Sequence, residues 1–218
     1  MQLKKNGPIS YFVQGSTPKV FFRSGTHGDE NGVIDSVWDA IHKHLDRLPD
    51  FLFIPEVSPS AVLSGTRANE HNLDMNRGFV EDSQEPEVIA NMSIVKDFQF
   101  DLSFDFHEDI SGFYFYDSEQ MDDQGLARVR TGVNKLGVGL YSGIDDPDDP
   151  ALVFKVEGGY TPKWIEKYDP NAGFYDSWTM KNDLVSRSIT VEIPKELSVV
   201  GKKRLVNLLF DELVLPLI

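Results

Sequence analysis

Four short stretches bring together residue types able to do hydrolytic chemistry. The first is Gly25-Thr26-His27-Gly28-Asp29-Glu30. Its His-x-x-Glu spacing lets one imidazole and one carboxylate on a turn face the same divalent ion, and the glycines let the backbone fold tightly. The same residues also read as a helix start with acidic groups in its first turn. The second is Asp105-Phe106-His107-Glu108-Asp109. His107 can add a third ligand, and a catalytic zinc site keeps three protein ligands and a position open for water. It also reads as a strand-end histidine satisfied by a neighbouring carboxylate, with Asp105 and Glu108 as the nearby acids.

The third stretch, Thr66 to Phe79 (TRANEHNLDMNRGF), holds Arg67 and Arg77 in a chain with few basic residues. A guanidinium is a planar fork matched to carboxylate, so either Arg can grip or polarise an anionic substrate. A solvated loop with surface salt bridges is the other reading. The fourth is Thr190-Val191-Glu192-Ile193-Pro194. Glu192 is charged inside an apolar strand. Alternation places it with Thr190 and Pro194, opposite Val191 and Ile193, either on an outer face or at a site.

Composition limits what these groups can be. The chain has 218 residues, 35 Asp and Glu against 21 Lys and Arg, and a net charge of −14. That length fits a single domain over residues 1–218. The acidic balance repels phosphate backbones and anionic lipid, so neither nucleic acid nor membrane is an expected partner. There is no cysteine, which removes disulfides, thiolate metal sites and a Cys nucleophile. Any metal must be held by imidazole, carboxylate or carbonyl oxygen. No apolar run is long enough to span a bilayer and no apolar h-region opens the chain, so the expected location is cytoplasmic.

The four motifs need elements to position them. Lys19 to Ser24 reads as a strand, and Asn31 to Leu48 has helical apolar spacing at Val33, Ile34, Val37, Trp38, Ile41, Leu45 and Leu48. Phe51 to Val57 is a second strand, Ser60 to Phe79 a long loop, and Glu85 to Phe98 a helix. Asp101 to His107 and Gly112 to Tyr116 read as strands, Asp122 to Leu136 as a helix, and Tyr141 to Pro150 as an acidic turn region. Tyr160 to Asp183 has only weak periodicity. Ser188 to Ile193 is a strand, and Lys195 to Leu215 a final helix. Alternating strands and helices predict an α/β fold: a mixed, mostly parallel twisted sheet flanked by helices on both faces. Sites in such sheets form beyond the carboxyl ends of the strands. Of the remaining histidines, His42 and His44 are expected to face solvent, and His71 lies in the third motif.

In this order, the four motifs resemble the zinc carboxypeptidase family, with its aspartoacylase and succinylglutamate desuccinylase relatives. The matching pieces are HGDE, TRANEHNLDMNR, the strand-borne His107 and the late Glu192. The resemblance implies one Zn2+ per chain with His27, Glu30 and His107 as ligands. It implies that Asp74 orients His27, that Arg67 polarises the scissile carbonyl, and that Asn76 and Arg77 clamp a substrate carboxylate. Glu192 is the implied general base. The family's peptidases also use a tyrosine shortly before that Glu. Tyr160, Tyr168 and Tyr175 are candidates, and Tyr175 is taken as the substrate-binding one. The 26 residues after Glu192 leave no room for the relatives' C-terminal β-domain.

The implied activity is hydrolysis of an amide next to a free carboxylate. The leading substrate is a small peptide, as for a metallocarboxypeptidase. The alternative substrate is an N-acyl amino acid, as for a deacylase. A catalytically inactive metal- or ligand-binding relative is the reading from another class. Side-chain preference and oligomeric state are not readable from the residues.

Overall fold

The computed structural model describes residues 1–110, 112–145, 153–167 and 171–218. Tyr168 and the acidic residues Asp146 to Asp149 lie outside the described residues. The strands are β1 (Gln2–Asn6), β2 (Ile9–Gln14), β3 (Val20–Ser24), β4 (Phe51–Ile54), β5 (Phe100–Asp109), β6 (Tyr114–Asp117), β7 (Gly143–Ile144), β8 (Lys155–Val156), β9 (Tyr160–Pro162) and β10 (Val185–Pro194). The helices are α1 (Gly32–His44), α2 (Pro59–Ser64), α3 (Pro86–Val95), α4 (Asp123–Lys135), α5 (Tyr175–Lys181) and α6 (Val199–Leu209), the last continuing through a π-helical segment, Phe210–Val214.

Eight strands form one sheet in the order β1-β2-β4-β3-β5-β10-β6-β9. The four central strands β4, β3, β5 and β10 run parallel, while β2 joins β4 and β6 joins β10 antiparallel. A parallel centre requires cover on both faces. On one face Phe22, Phe104, Phe106, Ile189, Val191 and Ile193 pack against α1, α4 and α6. On the other, Phe21, Leu52 and Ile54 pack against α3 and α5 through Val88, Ile94 and Trp178. The expected fold class is therefore the observed one. Among the described residues, no helix is long and apolar enough to cross a membrane.

Three local differences have physical causes. The β1–β2 hairpin was not predicted: β1 is an exposed edge strand, so it carries little apolar patterning. The loop after β4 contains α2, started by Pro59 at its first turn and closed by Gly65 at φ 65°. His44 is buried rather than exposed, its ring stacked on Phe210 with centroids 5.6 Å apart.

Candidate active site

The parallel strands β3, β4, β5 and β10 end on one edge of the sheet, and the polar motifs gather there. Side-chain alternation does the sorting. On β5, Phe104 and Phe106 enter the core beneath α1 and α6, so Asp105 and His107 face the other way. On β10, Val191 and Ile193 enter that same core, and Thr190 and Glu192 line a cavity. β5 and β10 are in register with Glu192 opposite His107.

His27 leaves β3 on a turn that leads into Glu30. Gly28 is required in that turn, because a Cβ there would stand 1.8 Å from the carbonyl oxygen of Ala61 on α2. Its N–H donates to Thr66 O at 2.8 Å, so the HGDE turn and the Arg67 segment are tied together. Buried Glu87 on α3 accepts from Ser58 Oγ at 2.7 Å and Ser60 N at 2.8 Å at the start of α2, and from Asn69 Nδ2 in the Arg67 loop at 3.5 Å.

His27, Glu30 and His107 offer ligand atoms that all lie within 4.8 Å of one another, and all three residues are buried. Glu30 is the hub: Oε1 lies 2.6 Å from His27 Nδ1, and Oε2 lies 2.8 Å from His107 Nδ1. Each ring turns its other nitrogen to a second carboxylate. His27 Nε2 is 3.1 Å from Asp74 Oδ1, and His107 Nε2 is 2.9 Å from Asp105 Oδ2. An ionised carboxylate only accepts, so each Nε2 donates to its outer carboxylate; each Nδ1 faces Glu30 at the shared centre, and its proton is the one a bound metal would displace. This is the arrangement by which carboxylates fix the tautomer of metal-binding histidines.

The electrostatics follow from these contacts. Burial opposes charge on both imidazoles. Glu30 with Asp74 for His27, and Asp105 with Glu30 for His107, outweigh it and raise both pKa values. Burial would raise the Glu30 carboxyl, but the two histidines hold it far below the usual carboxylate range. Glu192 goes the other way. Burial pushes it well up, His107 partly opposes, and Glu30, Asp145 and Asp109 add to the rise.

The cavity has a volume of about 680 Å³. Arg67, Asp74, Asn76 and Arg77 line one side. Arg67 pairs with Asp74 Oδ2 through Nε and Nη2, both at 3.0 Å, its Nη1 stands 3.8 Å from Glu30 Oε1, and its side chain is 51% exposed toward the cavity. Asp74 also caps the short 3-10 turn Met75–Arg77 by accepting from Asn76 N at 2.9 Å. The Arg77 guanidinium lies over the Phe174 ring at 4.3 Å. Gly173, at φ 83°, permits this approach, since a Cβ there would stand 2.4 Å from Arg77 O.

The tyrosine expectation is corrected. Tyr175 is fully buried, stacked on Phe79 at 4.0 Å, and does not line the cavity. Its neighbours Phe174 and Asp176 do, so the side chain between them points into the core. Tyr160 does not line the cavity either; its hydroxyl donates to Asp117 Oδ2 at 3.0 Å. Among the described residues, the tyrosines on the wall are Tyr114 and Tyr116 of β6. Alternation in GFYFY was their signal. Tyr114 pairs with Glu192 across the sheet, and its hydroxyl contacts Asp109 at 2.6 Å and Asp145 at 2.5 Å. Burial raises both phenol pKa values, so the hydroxyls remain protonated. His71 lies outside the cavity and pairs with Glu85 at 2.9 Å.

No family sequence model matches the chain, and no curated protein matches it. Solved structures do. A provisionally named metallopeptidase from Shewanella amazonensis SB2B matches with a TM-score of 0.74 over 98% of this chain and 85% of its own, at 16% identity. A metallo-carboxypeptidase from Burkholderia cenocepacia gives a TM-score of 0.66 over 96% of this chain and 60% of its own, at 15% identity. A succinylglutamate desuccinylase/aspartoacylase from Rhodobacter sphaeroides gives 0.54 over 94% and 59%, at 18% identity. The chain therefore has the α/β fold of the metallocarboxypeptidase and aspartoacylase structures, as the motifs implied.

Proposed function

We propose that the chain is a zinc-dependent hydrolase of carboxypeptidase type, cleaving an amide next to a free carboxylate in a small peptide. The observation that carries this reading is the convergence of His27, Glu30 and His107, each imidazole backed by a carboxylate, with Glu192 in register beside His107. Two imidazoles and one carboxylate are a donor set that suits zinc, and three ligands leave a position open. One zinc per chain would be held by these three residues. When bound, zinc acts as a Lewis acid and lowers the pKa of water to about 7.

The chain's own residues do the rest. The burial and neighbouring carboxylates that raise the Glu192 pKa would be offset by a bound cation, and the ionised Glu192 takes a proton from the attacking water and returns it to the leaving amine nitrogen. Arg67 donates to the carbonyl oxygen as negative charge develops there. Asn76 and Arg77 hold the substrate carboxylate, and Phe174 braces the Arg77 fork in one orientation. Asp74 keeps the His27 ring and the Arg67 guanidinium in place together. On an acidic body, Arg67 and Arg77 form the local cationic spot that captures an anion.

The cavity volume, and its far wall of Tyr116, Phe154 and Trp164, favour a peptide with groups on both sides of the amide over a small acylated amino acid. The test is a panel of C-terminally free peptides, their amidated forms and N-acyl amino acids, assayed with zinc. Turnover of free peptides alone is the expected result. Preference for N-acyl amino acids moves the reading to a deacylase. Equal turnover of amidated and free peptides removes the carboxylate clamp. Zinc binding with no turnover in any arm marks an inactive relative.

A further inference from the structure

Arg23 is a large, fully buried side chain, first in size among those of the described residues, and the proposed function does not use it. It stands on β3 opposite Asp105 of β5, with its Nε 3.0 Å from Asp105 Oδ2. That oxygen is the one facing His107 Nε2. A second arm, Nη2, pairs with Asp176 Oδ1 at the start of α5. Asp176 in turn accepts from Thr190 Oγ1 at 3.0 Å and from Ser188 Oγ, both on β10, and it lines the cavity. The guanidinium is sandwiched in place over the Tyr175 ring at 4.5 Å. Charges of alternating sign thus run from His107 through Asp105 and Arg23 to Asp176.

A buried charge is costly unless paired, and a pair whose only role is stability is readily replaced by apolar packing. This arginine instead joins three strands and a helix at the two points that matter to the site: the carboxylate behind a metal-facing ring, and the cavity wall next to Thr190. Its planar fork can hold two carboxylates at fixed angles, which an ammonium cannot.

We propose that Arg23 is a positioning residue for the metal centre. With Asp176 as its anchor, it holds Asp105 in the orientation that aims His107 Nδ1 at the ion. The inference rests on the metal reading above, and its test reads metal binding directly. Groups that orient a ligand histidine typically contribute 10- to 100-fold in metal affinity. Arg23→Met leaves Asp105 and Asp176 buried without their cation, so the double variant Arg23→Met/Asp176→Asn is made to remove one of the two negative charges.

Zinc affinity is measured with a chelator competitor, the cobalt(II) visible spectrum reports ligand geometry, and metal-free melting reports the fold. The double variant is expected to regain melting temperature relative to Arg23→Met while binding zinc 10- to 100-fold more weakly than wild type, with a shifted cobalt spectrum. Arg23→Lys, which keeps the charge and should fold, is expected to show the same weakened binding. Arg187→Met removes a different ion pair, with Asp117 at 2.9 Å, and should lose stability with no change in zinc affinity. Recovery of zinc affinity along with stability in the double variant, or wild-type affinity in Arg23→Lys, overturns the positioning role. Wild-type protein that binds no zinc overturns the metal reading as well.

Discussion

Glu192 and His107 are direct partners across the β5–β10 pairing, so the candidate base and a candidate metal ligand stand side by side on one face of the sheet. Neighbouring strands lie about 4.8 Å apart, and the parallel register fixes the relation without any loop. Glu192→Gln keeps the shape and removes the proton acceptor. It is expected to retain zinc at wild-type stoichiometry and to lose roughly 10²- to 10⁴-fold in kcat. Metal analysis beside steady-state kinetics checks this, and undiminished turnover would remove Glu192 from the chemistry.

Arg77 carries the substrate carboxylate in the proposed geometry. Arg77→Ala should lower kcat/KM for C-terminally free peptides by roughly 10- to 100-fold, the worth of a charge-assisted hydrogen bond. Turnover of an amidated peptide, already poor, should change little. A parallel fall for both substrates would mean that Arg77 supports the loop rather than the ligand.

The metal-free protein should show a pH-dependent stability of predictable sign. His27 and His107 have pKa values raised above the ordinary 6.5 in the folded chain, so their contribution is complete below that value and is lost as pH rises through the folded values. Glu30 is depressed below its ordinary 4.5, so its contribution is present above that value and is lost as pH falls. The three together stabilise the metal-free fold most between these two pH values. Zinc competes with the protons on the histidines, so the gain in melting temperature on adding zinc should grow from pH 6 to pH 8. Melting curves with and without zinc across this range decide it; a gain that shrinks with rising pH would place the metal elsewhere.

Gly28 lies so close to α2 that any side chain displaces backbone. Gly28→Ala is expected to destabilise the chain by about 2–3 kcal/mol, read as a drop of roughly 4–12 °C in melting temperature. It should also weaken zinc binding, because the turn between His27 and Glu30 must shift. Unchanged melting would show that α2 yields freely.

The sequence by itself determined the sheet centre and the metal-site candidates. KVFFRS, DLSFDFH and SITVEI are dense in β-branched and aromatic residues, which fit a pleated, buried surface, and each run is short. The metal candidates are legible for the same reason: His27 and Glu30 are local to one turn, and His107 and Glu192 sit at strand ends where alternation decides their face. Tertiary structure alone decided the rest. Which tyrosines line the cavity depends on β6 lying antiparallel beside β10, which no local pattern encodes, and so Tyr114 and Tyr116 stand on the wall while Tyr175 is buried in the core. The resemblance implies the pairing of Asp74 with His27, but only the fold makes it across 47 positions in sequence, through a loop whose Asn69 donates to Glu87 on α3. Arg23 reads in sequence as an odd charge between Phe22 and Ser24. Only the packing of β3 against β5, with α5 laid across them, gives it Asp105 and Asp176, because a buried charge is tolerated only where folding delivers its partners from elsewhere in the chain.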